Sequence, residues 1–273
     1  MAGLSMGRVA LVVRDIDKVG AWYEQAVGLH LLRRDGETAW YGAGDTVLLE
    51  LRRDTAARMR DRNEAGLFHT AFLLPDRASL GQWVADAAAR QTRVDGAADH
   101  LVSETLYLTD PEGNGVEIYA DRPREAWTRR GIEVQMASDP LDIPALVASA
   151  AGREAWQGVP DGTVIGHVHL QAGAIPDADA FYSGVLGLDL TARYPGASFY
   201  AADGYHHHLG ANIWNSRGAA PRSFPSTGLA EVEIRLDATR AAAIRDRATV
   251  ATVGDRLILT DPWNTPISLV TVG

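Results

Sequence analysis

The chain repeats itself, and a repeat constrains a fold more than any single motif because both copies must bury the same faces. Gly7-Arg8-Val9-Ala10-Leu11 opens a Val-rich strand pattern, and Gly166-His167-Val168-His169-Leu170 opens another, 159 residues later. At that offset Trp22-Tyr23 falls on Phe181-Tyr182, Gly28-Leu29-His30-Leu31 on Gly187-Leu188-Asp189-Leu190, and Tyr41 on Tyr200. Further on, Gly66-Leu67-Phe68-His69 matches Gly228-Leu229-Ala230-Glu231, and Leu108-Thr109-Asp110-Pro111 matches Leu259-Thr260-Asp261-Pro262. The matches keep their order and drift by only a few residues.

Each half reads as two βαβββ units. A strand over Val9–Val13 leads to Asp15, a helix N-cap, and a helix over Ile16–Ala26 that Gly28 stops. Strands are predicted at Leu29–Arg33, Thr38–Tyr41 and Thr46–Leu51. The second unit has a strand over Leu67–Leu74, a helix over Ala78–Ala89, and strands near Arg93, at Thr105–Thr109 and at Gly115–Tyr119. Asp110 to Asn114 makes a tight turn before the last strand. The predicted fold class is α+β, two tandem domains at 1–122 and 163–273. The segment 123–162 between them carries Trp127, Trp156 and a helical pattern over Ile143–Ala151. Two tryptophans are out of place in a floppy linker, so this segment is expected to pack across both halves.

Composition narrows the function. With 46% apolar residues among 273, a sizeable core is available. A net charge of -9 argues against nucleic-acid binding, which needs a basic face. There is no cysteine, so any metal must be held by His, Asp or Glu. No apolar run reaches membrane-spanning length and no signal pattern opens the chain. A cytoplasmic protein without membrane partners is expected, as monomer or homodimer. No Gly-rich phosphate loop and no nucleophile elbow is present. His30 and His100 are expected at the surface, as are Arg52-Arg53.

Four βαβββ units, Gly166-His167-Val168-His169-Leu170 opening a half and Asp110-Pro-Glu-Gly-Asn114 before a last strand, resemble the vicinal-oxygen-chelate superfamily of glyoxalases, bleomycin-resistance proteins and extradiol dioxygenases. The run Gly115 to Pro123 and the run Gly204-Tyr-His-His-His-Leu-Gly-Ala-Asn-Ile-Trp214 are similar to the two-domain catechol-2,3-dioxygenase-like branch. The resemblance covers nearly the whole chain. It implies that two units close into an incomplete barrel around a divalent metal. The metal is chelated by two neighbouring substrate oxygens and acts as a Lewis acid or activates dioxygen.

The resemblance also implies where ligands stand. In the N-terminal half they fall on Arg8, Glu50, His69 and Glu117. Guanidinium has no lone pair to give, so Arg8 is expected to pair with Glu50 or Glu117; His69, Glu50 and Glu117 are the alternative metal set. In the C-terminal half His167 takes the first position, Glu231 stands where His69 does, Glu233 shares its face, and Ser268 replaces the last-strand glutamate. Strand alternation puts His206, His208 and Asn212 on one face, opposite His207, and the repeat turns that face inward. The expected metal set is therefore His167, His208 and Glu231. His206, Tyr205 and Glu233 are the acid–base candidates, and His169, Asn212 and Ser268 the substrate contacts. The expected cofactor is Fe(II), another divalent metal, or none, and the expected partner is a small aromatic molecule. Three activities follow from the resemblance: extradiol ring cleavage of a catechol-like substrate, glyoxalase-type lyase or isomerase chemistry, or metal-free ligand sequestration.

Overall fold

The computed structural model describes residues 3–254 and 256–272. The first unit comprises β1 (Leu4–Val13), α1 (Ile16–Trp22), β2 (His30–Asp35), β3 (Thr38–Ala43) and β4 (Thr46–Arg53). The second comprises β5 (Gly66–Leu73), α2 (Arg77–Ala89), β6 (Gly96–Asp99), β7 (Ser103–Thr109) and β8 (Gly115–Asp121). The joining segment carries β9 (Arg129–Arg130), β10 (Glu133–Val134) and α3 (Ile143–Ala148). The third unit comprises β11 (Val164–Gln171), α4 (Ile175–Asp179), β12 (Asp189–Tyr194), β13 (Ala197–Ala201) and β14 (Leu209–Asn212). The fourth comprises β15 (Gly228–Leu236), α5 (Ala238–Arg247), β16 (Ala251–Val253), β17 (Arg256–Thr260) and β18 (Pro266–Thr271).

The predicted α+β class and the four units are present. Local chemistry explains their ends. Asp15 and Asp76 accept from the backbone N–H groups of Lys18 and Ser79 and start α1 and α2. A π-helical turn over Tyr23–Val27 prolongs α1, and Gly28, at φ 92°, ends it in the left-handed region that glycine adopts without penalty. The turn before β8 is fastened by Asp110, whose Oδ1 accepts from the N–H of Glu112 and Asn114 at 2.9 and 2.8 Å. Asp261 does the same for Trp263 and Thr265 before β18.

The units pair crosswise. One eight-stranded sheet runs β16-β17-β18-β15-β1-β4-β3-β2, joining the fourth unit to the first. The other runs β12-β13-β14-β11-β5-β8-β7-β6, joining the third unit to the second. Each sheet contains two units, as expected, but they come from opposite sides of segment 123–162. The two junctions are the antiparallel pairs β1–β15 and β5–β11. One continuous core spans both sheets and includes Tyr23, Phe72 and Trp83, none of them accessible to solvent. The Trp83 indole donates to the Ala26 carbonyl at 3.0 Å, fastening α2 to the end of α1.

The joining segment does pack across both halves. Trp127 and Val134 form a smaller cluster with Val102 of the second unit and Ala201 and Tyr205 of the third. Trp156 packs against Gly28 of the first unit. The strand expected near Arg93 begins later, at Gly96, and the helix expected over Ile143–Ala151 ends at Ala148. No described helix is long and apolar enough to cross a membrane.

Candidate metal centre

Strand register generates four equivalent positions in each sheet. Glu117 on β8 is the partner of Ala71, two residues beyond His69 on β5. Gly210 on β14 is the partner of His169, two beyond His167 on β11. In the other sheet Glu50 is the partner of Ala10, two beyond Arg8, and Ser268 is the partner of Glu233, two beyond Glu231. Residues two apart on a strand share a face. The second sheet therefore gathers His69, Glu117, His167 and Gly210, and the first gathers Arg8, Glu50, Glu231 and Ser268.

In the second sheet, ligand atoms of His69, Glu117 and His167 all lie within 4.8 Å of one another, and all three residues are buried. Glu117 Oε2 is 3.1 Å from His167 Nε2 and 2.9 Å from His69 Nε2. The His69 contact is close without being aligned: the ring N–H does not point at the oxygen, and the buried Nε2 has no hydrogen-bond partner. An orphaned imidazole nitrogen beside a carboxylate fits lone pairs aimed at a shared cation better than at each other. Burial holds His167 down to about 4, more than Glu117 raises it, so the ring is neutral near pH 7. Burial would raise Glu117, but its position against His167 and His69 outweighs that and keeps it well below the usual carboxylate range. The imidazole nitrogens of His69 and His167 and the Glu117 carboxylate form a donor set for a divalent metal, of the two-His-one-carboxylate type that leaves positions open. The fourth position is a glycine. A Cβ on Gly210 would stand 3.0 Å from His169 Cδ2 and Cγ, so the His169 ring closes over the place a fourth ligand would occupy.

The set opens into a cavity of about 640 Å³. Aromatic walls come from Phe68, Phe199 and Trp214, with His169 between them; the His169 ring is 5.2 to 5.5 Å from each. The joining segment from Glu133 to Ser138 also lines it.

The first sheet holds its own cation. Arg8 Nε donates to Glu50 Oε2 at 2.6 Å, and its Nη1 donates to Glu233 at 2.7 Å and Glu231 at 3.1 Å. Arg52 bridges Glu50 and Glu231 at 2.6 and 3.0 Å. Burial opposes the Arg8 charge, but the Glu50 hydrogen bond and the fields of the carboxylates raise it further. Glu50 and Glu231 are both lowered against the pull of burial, Glu50 by its bonds to Arg52 and Arg8 and Glu231 by Arg8 and Arg52. Of the two carboxylates expected on Arg8, Glu50 is there; Glu117 lies in the other sheet, Glu231 and Glu233 take its place, and Arg52, which was expected to be solvated, is drawn in.

The chain is similar to proteins of one family in sequence and in fold. Residues 5–118 match the family model of the Glyoxalase/Bleomycin resistance protein/Dioxygenase superfamily. The chain is 40% identical over 229 residues to a catechol-2,3-dioxygenase of Bacillus subtilis (strain 168), covering 82% of this chain and 80% of that protein. The chain belongs to the glyoxalase/bleomycin resistance/dioxygenase superfamily. Among solved structures, a protein assigned as a dioxygenase from Bacillus subtilis subsp. subtilis str. 168 superposes with a TM-score of 0.65 at 11% identity, over 98% of this chain and 84% of that one. Glyoxalase I from Zea mays superposes with a TM-score of 0.57 at 16% identity, over 98% and 92%. At such identities these two likenesses speak for the superfamily's fold alone.

Within that superfamily fold, the residues singled out from sequence separate into two places. His167, His69 and Glu117 come together, although sequence analysis had put them in different candidate sets. His208 and Glu231 do not join His167. Glu231, Glu233 and Glu50 lie in the first sheet on Arg8, and Ser268 lies in that sheet as the register partner of Glu233. His206, His207 and His208 precede β14 in an irregular bend, so strand alternation does not govern them. His207 faces the cavity, its ring centroid 4.1 Å from that of His167. His206 stands behind it, with Nδ1 2.7 Å from His207 Nδ1 and Nε2 2.9 Å from Asp121 Oδ1. The His208 ring accepts from the Ala202 N–H at 3.2 Å. Tyr205 bonds to the Tyr119 hydroxyl at 2.9 Å, and the Asn212 amide accepts from the Trp214 N–H. His169 lines the cavity, as expected of a substrate contact. His100 is not a surface residue: it also lines the cavity, 2.7 Å from the Tyr107 hydroxyl.

One sequence signal did point to this site. The surviving ligand types are His69 and Glu117 in one half and His167 in the other. They make a complete set only if the second unit meets the third.

Proposed function

We propose that the chain is an extradiol-type dioxygenase that cleaves a catechol-like substrate, with Fe(II) held by His69, His167 and Glu117. The observation that carries this reading is the convergence of those three donors at one end of an aromatic-walled cavity. The 40% identity to a catechol-2,3-dioxygenase supports it. Bound there, Fe(II) supplies the Lewis acidity that acidifies a chelated catechol and the one-electron chemistry that lets it react with dioxygen.

The remaining roles belong to the chain. Phe68, Phe199 and Trp214 enclose a flat ring and exclude water. His169 has a buried Nε2 without a partner, and this atom hydrogen-bonds a substrate oxygen. Burial holds both His169 and His207 well below the ordinary imidazole range, so each ring is neutral near pH 7. His207 takes the catechol proton, its orientation fixed by His206, which is in turn held by Asp121. A glyoxalase-type reaction through Glu231 or Glu233 has less support, because both carboxylates are engaged by Arg8.

The test is aerobic incubation of Fe(II)-loaded protein with catechol. The expected result is oxygen uptake and a yellow ring-opened product, both abolished in His69→Ala and His167→Ala. If the purified protein takes up no stoichiometric metal and Fe(II) or Mn(II) leaves its melting temperature unchanged, the oxygenase reading fails and metal-free ligand binding replaces it.

A further inference from the structure

We propose that the joining segment 133–138 is the specificity wall of this cavity, and that it selects catechols bearing a bulky, uncharged apolar substituent. The proposal rests on the catechol reading above. It goes beyond that reading in naming what the substrate carries and which residue senses it.

The first observation is size. About 640 Å³ lies in the range, roughly 300–1,000 Å³, of pockets that enclose drug-sized ligands, so a lone ring leaves space unfilled. The second is the chemistry of the lining beyond the aromatic residues. Ala98, Val102, Val134 and Met136 belong to it. Val102 and Val134 belong to the buried cluster with Trp127, and Met136 packs on that cluster, so the wall has a firm backing. Water against such a surface is readily displaced by an apolar group.

The third observation is that the wall is pinned. Asp139 and Asp99 exchange backbone hydrogen bonds, each 2.9 Å. The His100 ring reaches the Ala137 carbonyl at 2.5 Å and the Tyr107 hydroxyl at 2.7 Å, tying the segment to β7. The Tyr107 ring is 5.5 Å from that of His69, so this tie runs from the wall to the metal ligands.

The fourth is charge. Beyond Glu117 and the histidines, the charged lining residues are Glu133 and Arg193. Arg193 is already paired with Asp179 at 2.9 Å and stands largely in solvent, and Glu133 is of the same sign as a substrate carboxylate. A carboxylated side arm therefore finds no uncommitted cation in the lining.

Binding is read by calorimetry with redox-inert Zn(II) present, so that no turnover intervenes. The probes are catechol, a phenyl-substituted catechol and 3,4-dihydroxyphenylacetate. The phenyl-substituted ligand is expected to bind at least tenfold more tightly than either of the others. Met136→Trp should erase that gain while leaving catechol within about twofold, and Met136→Arg should shift preference toward the carboxylate. The proposal is overturned if the carboxylated ligand binds as tightly as the phenyl-substituted one in the unaltered protein. It is also overturned if Met136→Trp weakens all three ligands equally. Failure of the dioxygenase reading shows up separately, as absent oxygen uptake by the Fe(II)-loaded protein with every catechol, while the binding order still decides the wall.

Discussion

His69 on β5 and His169 on β11 are register partners across an antiparallel junction, their ring centroids 5.0 Å apart. That junction is one of the two where the halves of the chain meet. The candidate centre is thus built on a seam, and each half supplies only part of it.

Removing one donor should dismantle the set. Glu117→Gln removes the charge while keeping the shape. Metal affinity is expected to fall well beyond the roughly 10–100-fold that loss of a supporting hydrogen-bond partner costs a metal site. Equilibrium dialysis against Fe(II) or Zn(II) checks this, and retention of near-native affinity by this variant would rule out the donor set.

Arg8 should be a stability residue for the other sheet. Arg8→Met leaves Glu50, Glu231 and Glu233 facing one another with less positive charge between them. Breaking a buried pair costs about 3–5 kcal/mol. The lower end is expected, because Arg52, Arg235 and Arg256 remain on the same carboxylates. Urea denaturation measures the loss, and the metal content of the folded variant should be unchanged.

Gly210→Ala should hurt turnover more than metal binding. The added Cβ would stand 3.0 Å from two carbons of the His169 ring, which must give way by a few tenths of an ångström. Because the three donors are not touched, metal stoichiometry is expected to hold while oxygen uptake with catechol falls several-fold. Unchanged kinetics would show that the His169 ring position is not critical.

Acid should destabilise the metal-free protein. The folded state lowers His167 from 6.5 to about 4 and His208 to about 3, in both cases through burial first. A base with a lowered folded-state value binds fewer protons folded than unfolded. Its contribution to stability is full above 6.5 and is lost as pH falls toward 4. Glu117, also lowered, adds a loss in the same direction at lower pH. Urea midpoints measured from pH 7.5 down to 4.5 should decrease steadily, and His208→Gln should flatten the slope.

The repeat, the four units and the Asp110 and Asp261 turns were legible in the sequence because they depend on local spacing and on residues close in the chain. The pairing of Arg8 with Glu50 was legible because guanidinium admits few alternatives beside carboxylates, but its bonds to Glu231 and Glu233 were not, because they depend on the fourth unit joining the first. The three-histidine run was misread for a local reason: residues 206–208 bend, with the His206 and His207 rings bonded to each other, and a period of two does not apply to a bend. The half-buried position of His100 depends on Ala137 and Tyr107, reached through segment packing that no spacing rule conveys.

By itself, the sequence determined which strands are equivalent and which residue types stand at the ligand positions. Only the tertiary structure decided which units share a sheet. Pairing the first unit with the second, or with the fourth, buries the same faces of the same strands, so the hydrophobic pattern is identical in both arrangements. The edges that meet are chosen by backbone pairing along β1–β15 and β5–β11, and by the core that forms between the sheets. That choice places His167 with His69 and Glu117, and leaves Glu231 to Arg8.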